Sequence, residues 1–466
     1  MREVEREIDS QIASLLVWKS QREALLLTLI NFYKDSMNEV FMRLMHGRLF
    51  GNLESTRTAI VREHYLHSGI FQLLKWAVEF GRDQGNPSNL SLSDLETLVE
   101  LGNYYVMLVD LLKMGKHNKV AIQVDRTEHT VTVFEGGDLT GSDRQLIDHQ
   151  LDTLPYYSHS SFVNDEDQLT ARWTAGEYRT VIDRLGRMAS MMETSQGIST
   201  FPGLEAAVSL PKIIEIPQLN LEYEQYVLED LTLTPAKINN HNKWRFTTWL
   251  DTPITMVGHS MVAVTNALKA VAGPGKDDHM LRNAARIDPV QYSRVSTLRE
   301  ARMIEHCTRL LEPRGWNVTP HHRLRDPLAE LDIYATQGDQ GLVLQLKSTL
   351  RPETPWEVQK RNEELLAGID HTAAALARLA GNTIGFVITD GYRGDYVTWA
   401  KSMERNIMVG TIRDIEDVAN TPHIAQELLR QRAGFNPHEA SHRLPDRHFK
   451  LFGWSFRLVD EPEPLH

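Results

Sequence analysis

The chain has 466 residues, too many for one ordinary domain, so two or three are expected. Hydrophobic residues at 41% and charged residues at 24% are normal for a soluble globular protein, while a formal net charge of -12 argues against indiscriminate coating of nucleic acid. A single cysteine, Cys307, excludes an internal disulfide and fits a reducing cytoplasm.

The N-terminal MREVEREIDSQ is charged and has no apolar core, so no signal peptide is expected there. Residues 1–115 read as a helical domain. Heptad-like apolar spacing runs through SLLVWKSQREALLLTLINFYKDSMNEVFMRLM, either a core stripe or a dimerisation helix, and a second amphipathic run is LSDLETLVELGNYYVMLVDLLKM. Residues 116–290 read as a mixed α/β region. It opens with a strand pair in KVAIQVDRTEHTVTVFEGG, followed by helices at DRQLIDHQLD and GEYRTVIDRLGRMASMM, with loops near 157–168 and 193–203. The most apolar stretch, ITMVGHSMVAVTNALKAVAG, is interrupted by His259, Asn266 and Lys269 and reads as a buried helix rather than a membrane span.

Three short motifs imitate known chemistry. MVGHSMV resembles a nucleophile elbow centred on Ser260, but Val262 stands where the tight turn needs glycine. AGPGKDD lacks the four-residue gap of a phosphate loop and reads as a turn after a helix. In residues 426–466, a C-terminal tail, His438, Glu439, His442 and His448 have zinc-peptidase-like spacing, a remote alternative because Gly434 and Pro437 break the helix the motif needs.

Residues 291–425 carry the strongest signal. In ELDIYATQGDQGLVLQLKS, strand periodicity puts Glu330 and Asp332 on one face and Leu331 and Ile333 on the other. The next strand puts Val343, Gln345 and Lys347 on one face and Leu342, Leu344 and Leu346 toward the core, with a hairpin turn drawn from residues 337–341. Phosphodiester hydrolysis needs a hard, oxygen-ligated cation and a group that orients water. Asp332 and the Gln345 carbonyl, with Glu330 beside them, are candidate ligands for Mg²⁺ or Mn²⁺, and Lys347 is a candidate to stabilise the attacking hydroxide.

With the helical STLREARMIEHCTRLLEPRGW before these strands and a helix, strand, helix, strand and short helix after them, residues 291–422 resemble the PD-(D/E)xK, or restriction-endonuclease-like, nuclease superfamily. The resemblance is nearest the Mrr-type branch, in which Gln takes the second acidic place. It implies an αβββαβ core, DNA as the substrate, and bacterial restriction or anti-phage defence, alone as a homo-oligomer or with partner proteins. It also implies a further carboxylate from the first helix. A buried stripe of Leu298, Ala301, Ile304, Cys307 and Leu311 places Glu300 inside it and Glu305 on its flank. Seven Arg against three Glu in 291–325 form a basic margin, from which Arg299, Arg302, Arg323 and Arg325 are candidate nucleic-acid contacts. A nuclease-like domain that binds or scaffolds without cutting is the alternative.

Overall fold

The computed structural model describes residues 2–49, 53–85, 90–116, 121–135, 162–201, 204–238, 249–273, 275–324, 330–348, 350, 352, 355–379, 382–394, 396–418 and 447–460. It is a mixed α/β protein whose contacts divide it into two units: Met1–Gly137 with Arg172–Ile287 and Pro445–His466, and Asp138–Ala171 with Asp288–Leu444. Residues 1–115 and most of 116–290, read from sequence as separate regions, thus share one unit, while 138–171 and 288–290 fall in the other.

The first unit begins with helices α1 (Arg2–Ala13), α2 (Arg22–Leu49), α3 (Leu53–Phe80) and α4 (Leu92–Lys116). The apolar stripe of α2, including Leu25, Leu29, Ile30, Tyr33 and Met37, is fully buried within the unit. A hairpin of β1 (Ala121–Asp125) and β2 (Thr130–Glu135) follows at the expected strand pair. Helix α5 (Ala175–Met192) starts at a capping box, in which the Thr174 hydroxyl accepts from the Glu177 amide and the Glu177 carboxylate accepts from the Thr174 amide.

Two stretches differ from their sequence reading. Residues 193–203, expected as a loop, enter a hairpin of β3 (Thr194–Phe201) and β4 (Leu204–Leu210). After β5 (Ile213–Glu215), α6 (Glu222–Leu231) and β6 (Thr232–Leu233), the stretch expected as one buried helix is instead β7 (Ile254–Val257), β8 (Ser260–Val264) and α7 (Thr265–Ala272). Gly258 takes a φ of 61° at the β7–β8 turn, a conformation that costs glycine little, and β-branched Val257, Val262 and Val264 favour strand. Ser260 begins a strand and its hydroxyl donates to Glu215, so the geometry is not that of a nucleophile elbow. Of AGPGKDD, Ala272 ends α7 and Lys276, Asp277 and Asp278 open α8 (Lys276–Ile287), so the expected turn is confined to the residues between them.

After Asp138–Ala171, the second unit resumes with α9 (Pro289–Leu311), capped by Asp288 and started by Pro289, whose missing N–H costs nothing at a first turn. Gly315, at φ 81°, closes the 3₁₀ turn that ends it. Then come β9 (Asn317–Arg323), β10 (Glu330–Gln337), β11 (Gln340–Lys347), α10 (Pro355–Leu376), β12 (Asn382–Thr389), α11 (Tyr396–Arg405), β13 (Ile407–Thr411) and α12 (Ile412–Val418). The sheet runs β13-β12-β11-β10-β9, antiparallel from β9 to β11 and parallel from β11 to β13. The β10–β11 turn is tighter than residues 337–341 suggested, leaving only Gly338 and Asp339 between the strands.

One face of this sheet, with Leu342, Leu344, Leu346, Phe386 and Ile388, packs against Met303, Ile304, Cys307 and Leu311 of α9 and Ile412 and Ile415 of α12. The opposite face, with Val387 and Ile407, packs against Val358, Leu365 and Ile369 of α10. Helices on both faces make β11 a central strand. Residues 341–346 are therefore buried without alternation, Val343 included. The α9 stripe is Val295, Arg299, Met303, Ile304, Cys307 and Leu311; Leu298 and Ala301, assigned to it from sequence, are exposed.

The chain then returns to the first unit, where β14 (Arg447–Leu451) and β15 (Trp454–Asp460) extend the β1–β2 sheet, β15 running parallel to β2. No helix among the described residues is long and apolar enough to cross a membrane.

Candidate active site

Asp332 and Gln345 meet because β10 and β11 pair with Ile333 opposite Leu344, which sets the preceding residue of β10 against the following residue of β11. Directly opposed residues of an antiparallel pair share a face. Asp332 Oδ2 accepts from Gln345 Nε2 at 2.5 Å and from the Leu346 amide at 2.6 Å. Both bonds fall on Oδ2, so Oδ1 has no hydrogen bond among the described residues. Gln345 is 7% exposed, and its Oε1 is buried with no hydrogen-bond partner among the described residues. A buried carbonyl oxygen without a partner is costly and is a natural ligand for a hard cation.

Lys347, two residues on from Gln345, shares its face. A Cβ at Gly368 of α10 would stand a tight 3.2 Å from Val387 and at ordinary contact distance, 3.7 Å, from Lys347 Cε, so α10 packs closely against β12 beside the lysine stem. Lys347 makes no hydrogen bond or ion pair among the described residues. Burial pushes the Asp332 carboxyl above its ordinary value, against the pull of the Leu346 amide and of Lys347, His321 and His371.

Glu300 belongs to this group. Its residue surface is exposed, yet enough protein surrounds the carboxyl that lost hydration raises its pKa; Lys347 opposes the shift, Asp332 adds to it, and Arg299 and Asp390 act in smaller measure. Glu305 is not brought in: it is exposed and faces Arg309 at 3.7 Å, one turn along the helix. The reason is the rotated α9 stripe, which turns Glu305 to solvent.

Glu330, a candidate ligand from sequence, is engaged otherwise. Its two oxygens face His321 Nδ1 at 3.2 Å and Arg323 Nε at 3.3 Å, both in β9. The basic margin also divides. Arg299 is 1% exposed and its Nη2 lies 2.5 Å from Asp390, so it is a core cation rather than a surface contact. Arg302 is held by both oxygens of Asp167 and donates to the Phe162 carbonyl at 2.9 Å. Arg323 remains largely exposed, and Arg325 lies outside the described residues.

Sequence reading passed over His321 and His371 as site neighbours, and Asp390 and Gly368 altogether. Asp390 follows Thr389, which pairs with Lys347 across β12 and β11, so strand register was the only available signal. Of the zinc-like motif, His438, Glu439 and His442 lie outside the described residues. His448 sits on β14, its Nε2 2.6 Å from Ser455 Oγ.

Among the described residues, no group of three or more His, Cys, Asp or Glu is arranged to hold a metal. The donor set at Asp332 is instead one carboxylate and one amide carbonyl, with Glu300 nearby. That set fits a single hard cation held through oxygen, the free Asp332 Oδ1 and the orphaned Gln345 Oε1 being its available donors. Compared with family models, curated proteins and solved structures, the chain matches none.

Proposed function

We propose that the second unit is a metal-dependent nuclease that hydrolyses phosphodiester bonds, most readily of DNA. The observation that carries this reading is the orphaned Gln345 Oε1, buried beside Asp332 and two residues from Lys347. When bound, Mg²⁺ or Mn²⁺ supplies charge neutralisation at phosphate and makes water a better nucleophile. Asp332 and Gln345 would hold the cation. Lys347, with no ion pair among the described residues, offers a positive charge to the attacking hydroxide, and Glu300, which responds to Lys347, supplies a second carboxylate. The order of elements from α9 to α12 supports a restriction-endonuclease-like core, and on that likeness rest DNA, a cytoplasmic setting and a part in restriction or phage defence.

A second reading is a nuclease-like domain that binds or scaffolds without cutting. It draws on the neutral Gln345 and on the absence, among the described residues, of a three-ligand cluster of acidic, His or Cys side chains. The test is cleavage of supercoiled plasmid, linear duplex and single-stranded DNA with Mg²⁺ or Mn²⁺, by wild type, Asp332→Ala and Lys347→Ala. Cutting lost in both folded variants supports the nuclease. No cutting, or equal cutting by all three, favours the scaffold.

A further inference from the structure

Of the five non-glycine residues with positive φ among the described residues, His321, at 50°, is the one inside a strand. A non-glycine residue in this region carries backbone strain, and such strain gathers at functional positions. In the β9–β10 register Leu331 pairs with His322 and Ile333 with Pro320; between these pairs His321 stands opposite Asp332 without pairing to it, near enough to act on its carboxylate. His321 is thus the β9 neighbour of Asp332, as Gln345 is its β11 neighbour.

The ring is oriented as well as placed. Glu330 Oε1 lies 3.2 Å from His321 Nδ1, while Oε2 of the same carboxylate faces Arg323. A carboxylate on Nδ1 fixes an imidazole's tautomer and leaves Nε2 as the atom for proton transfer. The His321 side chain is 58% exposed, so Nε2 is open to a ligand. The charged groups around it are Glu330 and Asp332 from β10, Arg323 from its own strand, and His371 of α10, whose Nε2 lies 3.1 Å from the Glu330 carbonyl oxygen. No other imidazole among the described residues combines a carboxylate on Nδ1 with a place beside Asp332.

We propose that His321, oriented by Glu330, is a further catalytic residue of this site: the general acid that protonates the leaving oxygen of the phosphodiester. This rests on the nuclease reading above. Water adds to phosphorus and gives up one proton to solvent. The bond from phosphorus to the bridging oxygen breaks, that oxygen keeps the bond's electron pair and takes the Nε2 proton of the His321 imidazolium, which leaves a neutral ring protonated on Nδ1 against Glu330 until solvent reprotonates Nε2. Water's H and OH are thus divided between the two products, and no oxidant or reductant is needed. Arg323, held by the same carboxylate, faces the phosphate as a cation.

The decisive experiment compares an ordinary oligonucleotide with two others in which sulfur replaces the 3′ or the 5′ bridging oxygen at one position. A thiolate leaves without protonation, so it does not need the acid. His321→Asn is expected to cut the ordinary substrate about 100-fold or more slower than wild type. On the sulfur substrate whose bridging atom leaves, it is expected to approach the wild-type rate. Glu330→Gln, which keeps the imidazole but loosens its orientation, should show a smaller loss with the same rescue. Equal slowing on all substrates, or no slowing, overturns the acid role and leaves the nuclease intact. Wild type cutting none of the three overturns the nuclease reading and the acid role with it.

Discussion

Asp332 and Gln345, opposed on neighbouring antiparallel strands, are joined by a hydrogen bond from Gln345 Nε2 to Asp332 Oδ2, while Gln345 Oε1 is buried with no hydrogen-bond partner among the described residues. The amide therefore holds the carboxylate with one end and offers an unused acceptor with the other. A ligand set with one charge beside a neutral oxygen binds a divalent cation less firmly than two carboxylates do. Gln345→Glu is expected to tighten Mn²⁺ binding by about tenfold or more, and Asp332→Ala to abolish it, as read by isothermal titration calorimetry. Equal affinity in wild type and Asp332→Ala would remove Asp332 from the site.

The two helix carboxylates should separate cleanly. Glu300 responds to Lys347 and Asp332, whereas Glu305 faces solvent and Arg309. Glu300→Gln is expected to lower cleavage about 10-fold or more, and Glu305→Gln to leave it within about twofold, given the small weight of exposed ion pairs. Under the nuclease reading, loss of activity on Glu305→Gln instead would mean that α9 is rotated in the active state.

Stability as a function of pH tests the burial of Asp332. Its folded-state pKa is raised, chiefly by burial, so the protonated form is the one the fold favours. The contribution to stability is then fully present below the unfolded-state pKa and is lost as pH rises through the folded-state value. Asp332→Asn retains an acceptor for the Leu346 amide and removes the buried charge. It should raise the unfolding midpoint at pH 7, with the gain vanishing toward pH 3; a variant less stable at pH 7 would contradict the desolvated carboxylate.

Two arginines of one basic margin should behave in opposite ways. Arg299 is buried against Asp390, and stranding either charge costs about 3–5 kcal/mol, so Arg299→Ala should destabilise the second unit in urea. Arg323 is exposed, and Arg323→Ala should leave the urea midpoint unchanged. Under the nuclease reading it should weaken DNA binding and flatten its salt dependence by roughly one phosphate contact.

The first unit offers a separate test. Lys75 is 5% exposed, and burial lowers its pKa to about 7, Lys113 and Arg286 adding to the shift and Asp251 opposing it. A depressed amine contributes stability above its unfolded-state pKa that is lost as pH falls through the folded-state value. Lys75→Met should therefore stabilise the unit at pH 6, and the difference should shrink steadily toward pH 10. A difference independent of pH would show that the amine is charged throughout.

Sequence alone determined the local pieces of the second unit. Period-two alternation set Asp332 opposite in direction to Ile333, and Gln345 with Lys347, because strand side chains must alternate; Leu331, expected on the side of Ile333, instead packs with Val343 and Ala375. Helix and strand order from α9 to α12 was legible for the same reason: each element carries its own apolar period. Tertiary structure decided what periodicity leaves open. The α9 stripe turned so that buried Arg299 replaced Leu298, because the Asp390 carboxylate past the end of β12 compensates a charge the core would otherwise reject. The hairpin within 254–264 formed because β-branched residues and a left-handed glycine outweighed an apolar run that fits a helix equally well. Register placed His321 across from Asp332, and no residue in either segment specifies its partner strand; only the pairing of β9 with β10 does.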